Sequence, residues 1–463
     1  MNTLLKILVA VGTLTLSSSL AASSEPTVQS GLRRALDAVT QFQSNGGWGR
    51  AYVRDGSLMW GEYLPIPRTW ISVQPPATPS VASTFLRAGQ VLHEPRYIAS
   101  AKSARDALLA LRTADGGFPY EGDPTAGKAT MSTLDDDTTT GALDFLIAWW
   151  QYTGKQEDLE AVKSVGDFFL RAQYPCGGWP QRYPPPKDYR RCVTFNDGVM
   201  PNVIRALLRV HELTGEARYL ESAKKGGEAI IRLQGGPGEA IWAQQYDPDT
   251  LQPAWARKME PPGYSPAESM EVCAVLIDLH LACGEERFLG PLSNAFAWYD
   301  THRLPNGKFA RLYEPGTQRP VYGRRDKAEP VYEFEKACTG YGWQGEWFPH
   351  KAEEALKRLK AIGREAYVRE RKQPEQAPSP ERLERSATEL CGALSPEGWW
   401  LSSAQGEDRA ELKRRKLPED QPIVDMGLFN RNARIVLDYL EAAARLAEPT
   451  STPGSKAAPS QVK

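Results

Sequence analysis

Three adjacent carboxylates, Asp135, Asp136 and Asp137, stand just before a threonine-rich stretch that opens an apolar helical pattern. Adjacent like charges repel, so such a run is costly unless a cation or basic groups offset it. Its oxygens are the hard donors that Ca2+ takes. Read more simply, they form a solvated cap favoured by the helix dipole. A second junction, Thr194-Phe195-Asn196-Asp197-Gly198, also leads into an amphipathic stretch, and there too Asn and Asp suit a plain N-cap. Arginines recur at further junctions: Arg257 in WARKME, ahead of Ser265-Pro266-Ala267-Glu268-Ser269; Arg311 in RLYEPGTQRP; and Arg325 in GRRD, followed by GYGW. Arginine holds a carboxylate through two parallel donors. Carboxylates suited to a dication and arginines suited to an anion thus recur at junctions of the same kind.

These residues must be positioned by helices. Gly-aromatic turns recur as Asn45-Gly46-Gly47-Trp48, Asp115-Gly116-Gly117-Phe118 and Cys176-Gly177-Gly178-Trp179. Weaker copies end at Trp242, Phe309 and Trp399-Trp400. The interval is roughly sixty to seventy residues, widening at the last copy, which is about the length of two helices and a loop. Between the turns lie helical patterns such as 139–152 with 159–173, and 201–213 with 217–233. Repeating helix pairs with few alternating β-branched runs predict an all-α fold, an α/α toroid of helical hairpins. Short extended pieces are expected in its cleft loops, within one domain over residues 30–446. The charged segment 351–373 reads as one solvated helix. Residues 447–463, rich in Pro, Ser, Thr, Ala and Lys, read as a disordered tail.

Residues 1–22 read as a signal peptide: Lys6, an apolar run from Ile7 to Leu16, and a small-residue exit at Ser19-Leu20-Ala21-Ala22. A secreted or periplasmic location follows, and with it six cysteines eligible for disulfides. Fifteen pairings are open; one between Cys176 and Cys192 would clamp the proline-rich loop. No CxxC or His/Cys cluster suggests zinc, and His211 and His280 read as ordinary helix residues. A net charge of −1 gives no bulk attraction to nucleic acid, no later apolar run suits a membrane, and a monomer is expected.

In series, GGWPQRYP, TFNDG, WARKME with PAES, RLYEPGTQRP, GRRD and GYGW resemble the family-10 polysaccharide lyases, pectate lyases with an α/α-toroid fold. The resemblance runs from about Gly46 to Trp343. It implies Ca2+-assisted β-elimination of polygalacturonate, with an arginine as base. Carried onto this sequence, it makes Arg311 the catalytic residue and places Asp136 and Asp197 at the metal. Substrate contacts fall to Arg257, Arg325, Asp135, Tyr313 and Trp179. The chain has Asp136 where the family has Asn, and Gly198 where it is often acidic. The arginine base comes from the resemblance alone, because a guanidinium is almost never neutral. Two other readings stay open: an inverting glycoside hydrolase using Asp135 or Asp197 with Glu268, and a non-catalytic polyuronate binder.

Overall fold

The computed structural model describes residues 24–62, 64–373 and 378–447; the expected signal peptide and nearly all of the expected tail lie outside them. Helix α1 spans 24–40. Then follow α2 (Thr78–Val91), α3 (Pro95–Leu111), α4 (Thr138–Thr153), α5 (Gln156–Ala172), α6 (Val199–Thr214), α7 (Ala217–Leu233), α8 (Pro266–Cys283) and α9 (Leu292–Thr301). The chain continues through α10 (His350–Ile362), α11 (Arg364–Arg371), α12 (Pro380–Gly392), α13 (Gly406–Arg414) and α14 (Met426–Ala447). Consecutive hairpins α2–α3, α4–α5 and α6–α7 pack side by side. An inner row runs α2, α4, α6, α8, α10, and α14 returns from the far end of the chain to pack on α2. The architecture is an α/α toroid.

The repeat is enforced by the turns. The indole N–H of Trp48 donates to the Val39 carbonyl at 3.1 Å, Trp179 to Phe169 at 2.8 Å, Trp242 to Ile230 at 2.7 Å and Trp400 to Leu390 at 2.8 Å. Each tryptophan thus ties the turn back to the end of the preceding helix and fills the core with its rings. Gly177 shows why glycine precedes it. Its φ is +95°, and a Cβ there would lie 2.5 Å from the Lys225 carbonyl oxygen of α7. The outer helices share a second latch: Tyr97 donates to Asp37 and Tyr219 to Asp167, both at 2.9 Å.

The extended pieces are mostly two-residue pairs near the cleft, such as Ser132–Thr133 with Arg182–Tyr183 and Val193–Thr194 with Gln245–Tyr246. A four-stranded sheet, not foreseen from sequence, pairs Ala51–Val53 with Pro422–Asp425 and so joins the two ends of the described chain. The charged segment expected as one helix is two. It breaks at Gly363 (φ +79°), and α10 buries Ala352, Leu356 and Leu359. All six cysteines are free, Cys176 and Cys192 included, so the bridge that would clamp the proline-rich loop is not formed. Among the described residues no helix is long and apolar enough to cross a membrane.

Candidate active site

The two acidic junctions are copies of one device. Asp136 and Asp137 have φ of 49° and 54°, and α4 begins immediately after them. Asp197 and Gly198 have φ of 49° and 72° before α6. Asp tolerates the left-handed conformation better than most residues. Two such residues in a row turn the chain sharply into an inner helix and aim carboxylates at the cleft. Neither α4 nor α6 has a side-chain N-cap hydrogen bond, so the simple capping reading fails at both junctions.

Asp135, Asp136 and Asp197 converge, each offering one carboxylate oxygen within 4.8 Å of the others. The Tyr120 hydroxyl lies 3.2 Å from Asp135 Oδ2 and 3.0 Å from Asp136 Oδ2, and its one proton can serve either. Arg182 sits over the Tyr120 ring, 4.8 Å from its centre. Asp135 Oδ1 is buried without a hydrogen-bond partner. Burial, then the charges of Asp136 and Asp197, push Asp135 up to about 8. Asp197 reaches solvent at the cleft, yet the protein packed around it, then Asp136 and Glu268, push it up to about 6, against the pull of Arg311 and Arg257. Three crowded carboxylates, one of them with an unsatisfied oxygen, are a donor set that suits a hard dication such as Ca2+. A bound cation would reverse the upward shifts.

These shifts fix a pH dependence for the metal-free protein. A carboxyl whose folded pKa is raised contributes stability that is complete at low pH and is lost as pH climbs through the folded value. With chelator present, the melting temperature should therefore fall as pH rises from about 4 to about 8 (Asp135 about 8, Asp197 about 6). Added Ca2+ should raise it more at pH 8 than at pH 5. A calcium-induced shift that is equal at both, measured by calorimetry, would detach the cluster from the metal.

Facing the carboxylates is a basic and aromatic wall. Arg311, 43 residues from Glu268 in sequence, donates from Nη2 to Glu268 Oε1 at 2.9 Å, and the Glu268 side chain is 5 % exposed. Ser265 donates to the other oxygen of Glu268. The Arg311 guanidinium lies over the rings of Tyr341 (5.0 Å) and Trp347 (5.8 Å), and its Nε is buried with no partner. Burial alone would lower its pKa, but Glu268, Tyr341, Asp197 and Glu260 together raise it. Arg257 is held bidentately by buried Glu260, with Nε 2.8 Å from Oε2, and Tyr341 donates to Glu260 Oε1 at 2.7 Å. The hydrogen bonds that Arg257 donates to the Glu260 carboxylate raise its pKa.

The site therefore gathers Asp135, Asp136, Asp197, Arg257 and Arg311. Arg325 is exposed, with Nη2 3.5 Å from the Gly340 carbonyl, next to Tyr341 at the rim. Two expected substrate contacts are misplaced. Trp179 is fully buried as the turn latch described above, and Tyr313 is 2 % exposed, with its hydroxyl donated to the His302 carbonyl at 2.6 Å. Neither can touch a sugar; both are core groups. Trp179→Phe should accordingly spare turnover while lowering stability by about 1 kcal/mol, the usual worth of one hydrogen bond. A raised KM without loss of stability would return Trp179 to the substrate. Tyr120, Glu260 and Tyr341 were not singled out as site residues. The three-residue spacing of Arg257 and Glu260 was visible, as was GYGW, whereas nothing local marks Tyr120.

The sequence model of the pectic acid lyase family matches residues 120–309, less than half of the 463-residue chain and the part that carries both acidic junctions. No protein among the curated sequences matches. Among solved structures, a family 10 polysaccharide lyase from Cellvibrio cellulosa, a point mutant in complex with trigalacturonic acid, is 20 % identical at a TM-score of 0.48, over 61 % of this chain and 98 % of that one. A glycoside hydrolase family 76 mannosidase from Bacteroides thetaiotaomicron is 13 % identical at 0.46, over 91 % and 99 %. A cellobiose 2-epimerase from Bacillus thermoamylovorans is 11 % identical at 0.45, over 90 % and 100 %. At such scores the structural likenesses transfer no activity; the family match on residues 120–309 is what bears out the pectic acid lyase resemblance.

Proposed function

We propose that the protein is an exported pectate lyase that cleaves α-1,4-polygalacturonate by calcium-assisted β-elimination. The observation that carries this is the convergence of Asp135, Asp136 and Asp197 opposite Arg311 and Arg257. β-Elimination passes the C5 proton of a uronate to a base, here hydroxide from the alkaline solvent, and leaves charge on the adjacent carboxylate. It expels the C4 glycosidic oxygen, which takes a proton from water, to form a 4,5-double bond. Ca2+, held by Asp136 and Asp197 with Asp135 beside them, would supply positive charge to that carboxylate. Arg257, whose Nε and Nη2 are fixed by Glu260, has its remaining N–H groups for an incoming carboxylate. Arg311, held by Glu268, offers its charge to the enediolate-like state as it forms. Acting as base would need a neutral guanidinium, which pairing with Glu268 opposes. Its surroundings therefore favour the stabilising role.

Incubation with demethylated polygalacturonate at alkaline pH, with and without chelator, tests the reading. The expected result is a calcium-dependent ultraviolet-absorbing unsaturated product. One observation favours hydrolysis instead: a carboxyl near pKa 8 at Asp135 is poised as a general acid. Its intended partner in that reading, Glu268, has both oxygens occupied by Arg311 and Ser265. New reducing ends without a double bond would establish the hydrolase; binding without new reducing ends would establish the non-catalytic binder.

A further inference from the structure

Behind the acidic cluster, the ring encloses a cavity of about 870 Å³, at the upper end of the ~300–1,000 Å³ usual for ligand sites. Its wall is built from residues along the sides of α2, α4, α6 and α14, from Pro79 to Arg87, Thr140 to Asp144, Asn202 to Arg209 and Asn430 to Leu437. Most charges on the wall cancel. Arg87 is paired with Asp438 (2.6 Å) and Glu441 (2.9 Å), and Arg205 with Glu271 (2.8 Å) and Asp278 (3.0 Å). Arg209 is paired with Asp144. Arg431 and Arg434, one turn apart on α14, are exposed and have no ion pair or hydrogen bond among the described residues. Two surplus guanidinium groups thus line an open space whose other wall charges are paired.

The cavity is not isolated. A depression of about 460 Å³ shares Asp197 with the acidic site, and shares Asp137 and Asn202 with the cavity. Asn202 Nδ2 donates to Asp137 Oδ1 at 2.6 Å across that junction. One continuous cleft therefore leads from Arg257 over the start of α6 to the arginines of α14. The connecting depression is itself acidic, with Asp197, Glu268 and Glu271, so sugars crossing it must present hydroxyls or bring a cation with their carboxylates.

We propose that the central cavity is a distal binding site for the anionic chain whose cleavage site is the acidic cluster, with Arg431 and Arg434 taking up uronate carboxylates several sugars away. The ligand class rests on the polyuronate reading of the site. A single small anion would leave most of the cavity unfilled, whereas a linear oligouronate can span the cleft and place one carboxylate at each end.

The test is calorimetric binding of trigalacturonate and decagalacturonate with chelator present, on wild type and on the double variant Arg431→Ala/Arg434→Ala, with a neutral maltodecaose as control. Both arginines are exposed and unpaired, so the variant should fold. The expected result is a loss of about 10-fold in decamer affinity with trimer affinity unchanged, the worth of one charge-assisted hydrogen bond. The wild-type preference for decagalacturonate over maltodecaose should shrink with it. An unchanged decamer affinity overturns the proposal, as do an equal loss for trimer and decamer, and a wild type that binds neither decamer or binds both alike. The two readings fail separately. If no unsaturated product ever forms but the arginine-dependent decamer binding is present, the cavity stands and the lyase reading falls. If product forms and the decamer ignores the arginines, only the cavity falls.

Discussion

Arg311→Lys should lower kcat on polygalacturonate by at least ~10²-fold with little change in KM, within the range found when one donor to a developing oxyanion is lost. Lysine keeps the positive charge beside Glu268 but lacks the planar fork that gives the guanidinium further N–H groups beyond the Nη2 donor to Glu268. The charge-preserving change is the right probe because Arg311→Ala would strand Glu268, whose side chain is 5 % exposed. Breaking one partner of a buried pair costs about 3–5 kcal/mol and would confuse misfolding with lost catalysis. Arg325→Lys, at the exposed rim, is the control and should affect KM alone. Steady-state kinetics with circular dichroism decide the matter: a near-normal kcat for Arg311→Lys removes it from catalysis.

Asp197→Asn should weaken calcium activation by at least ~10-fold in the calcium concentration required, since affinity at such sites follows the number of charged ligands. Asn is preferred to Ala because the position has φ of 49°, which Asn tolerates and Ala does not. The same variant should be more stable than wild type in chelator at pH 8, where removing one of three crowded charges relieves repulsion. A purely structural aspartate would give the opposite pattern, lower stability with an unaltered calcium titration. Calcium titrations of activity paired with melting curves separate the two.

Much of this was legible in the sequence because it is encoded locally. The Gly-Gly-Trp turns could be read since the first glycine of each pair lies against the backbone of the next outer helix and each tryptophan reaches a carbonyl nine to twelve residues back. Asp136 and Asp197 could be read because they sit at junctions that polar residues alone would occupy. Pairings across the ring could not. Arg311 with Glu268, and Tyr341 with Glu260 and beneath Arg257, exist only once separate loops meet over α8. Trp179 and Tyr313 misled because an aromatic in a site motif looks the same whether it faces sugar or core. The break at Gly363 went unread because charged residues continue on both sides of it.

The closure of the ring by α14 on α2, and of the sheet by Pro422–Asp425 on Ala51–Val53, has a kinetic meaning. These contacts join segments more than three hundred residues apart, and loops that long close late and at an entropic cost. The acidic cluster and its arginines lie between Tyr120 and Trp347 and need only neighbouring hairpins. The cavity wall needs α14. Detachment of α14 from the ring would therefore open the cavity while leaving the cleavage chemistry assembled. In hydrogen exchange, the amides of α14 would report on the cavity separately from those of α4 and α6, which report on the acidic site.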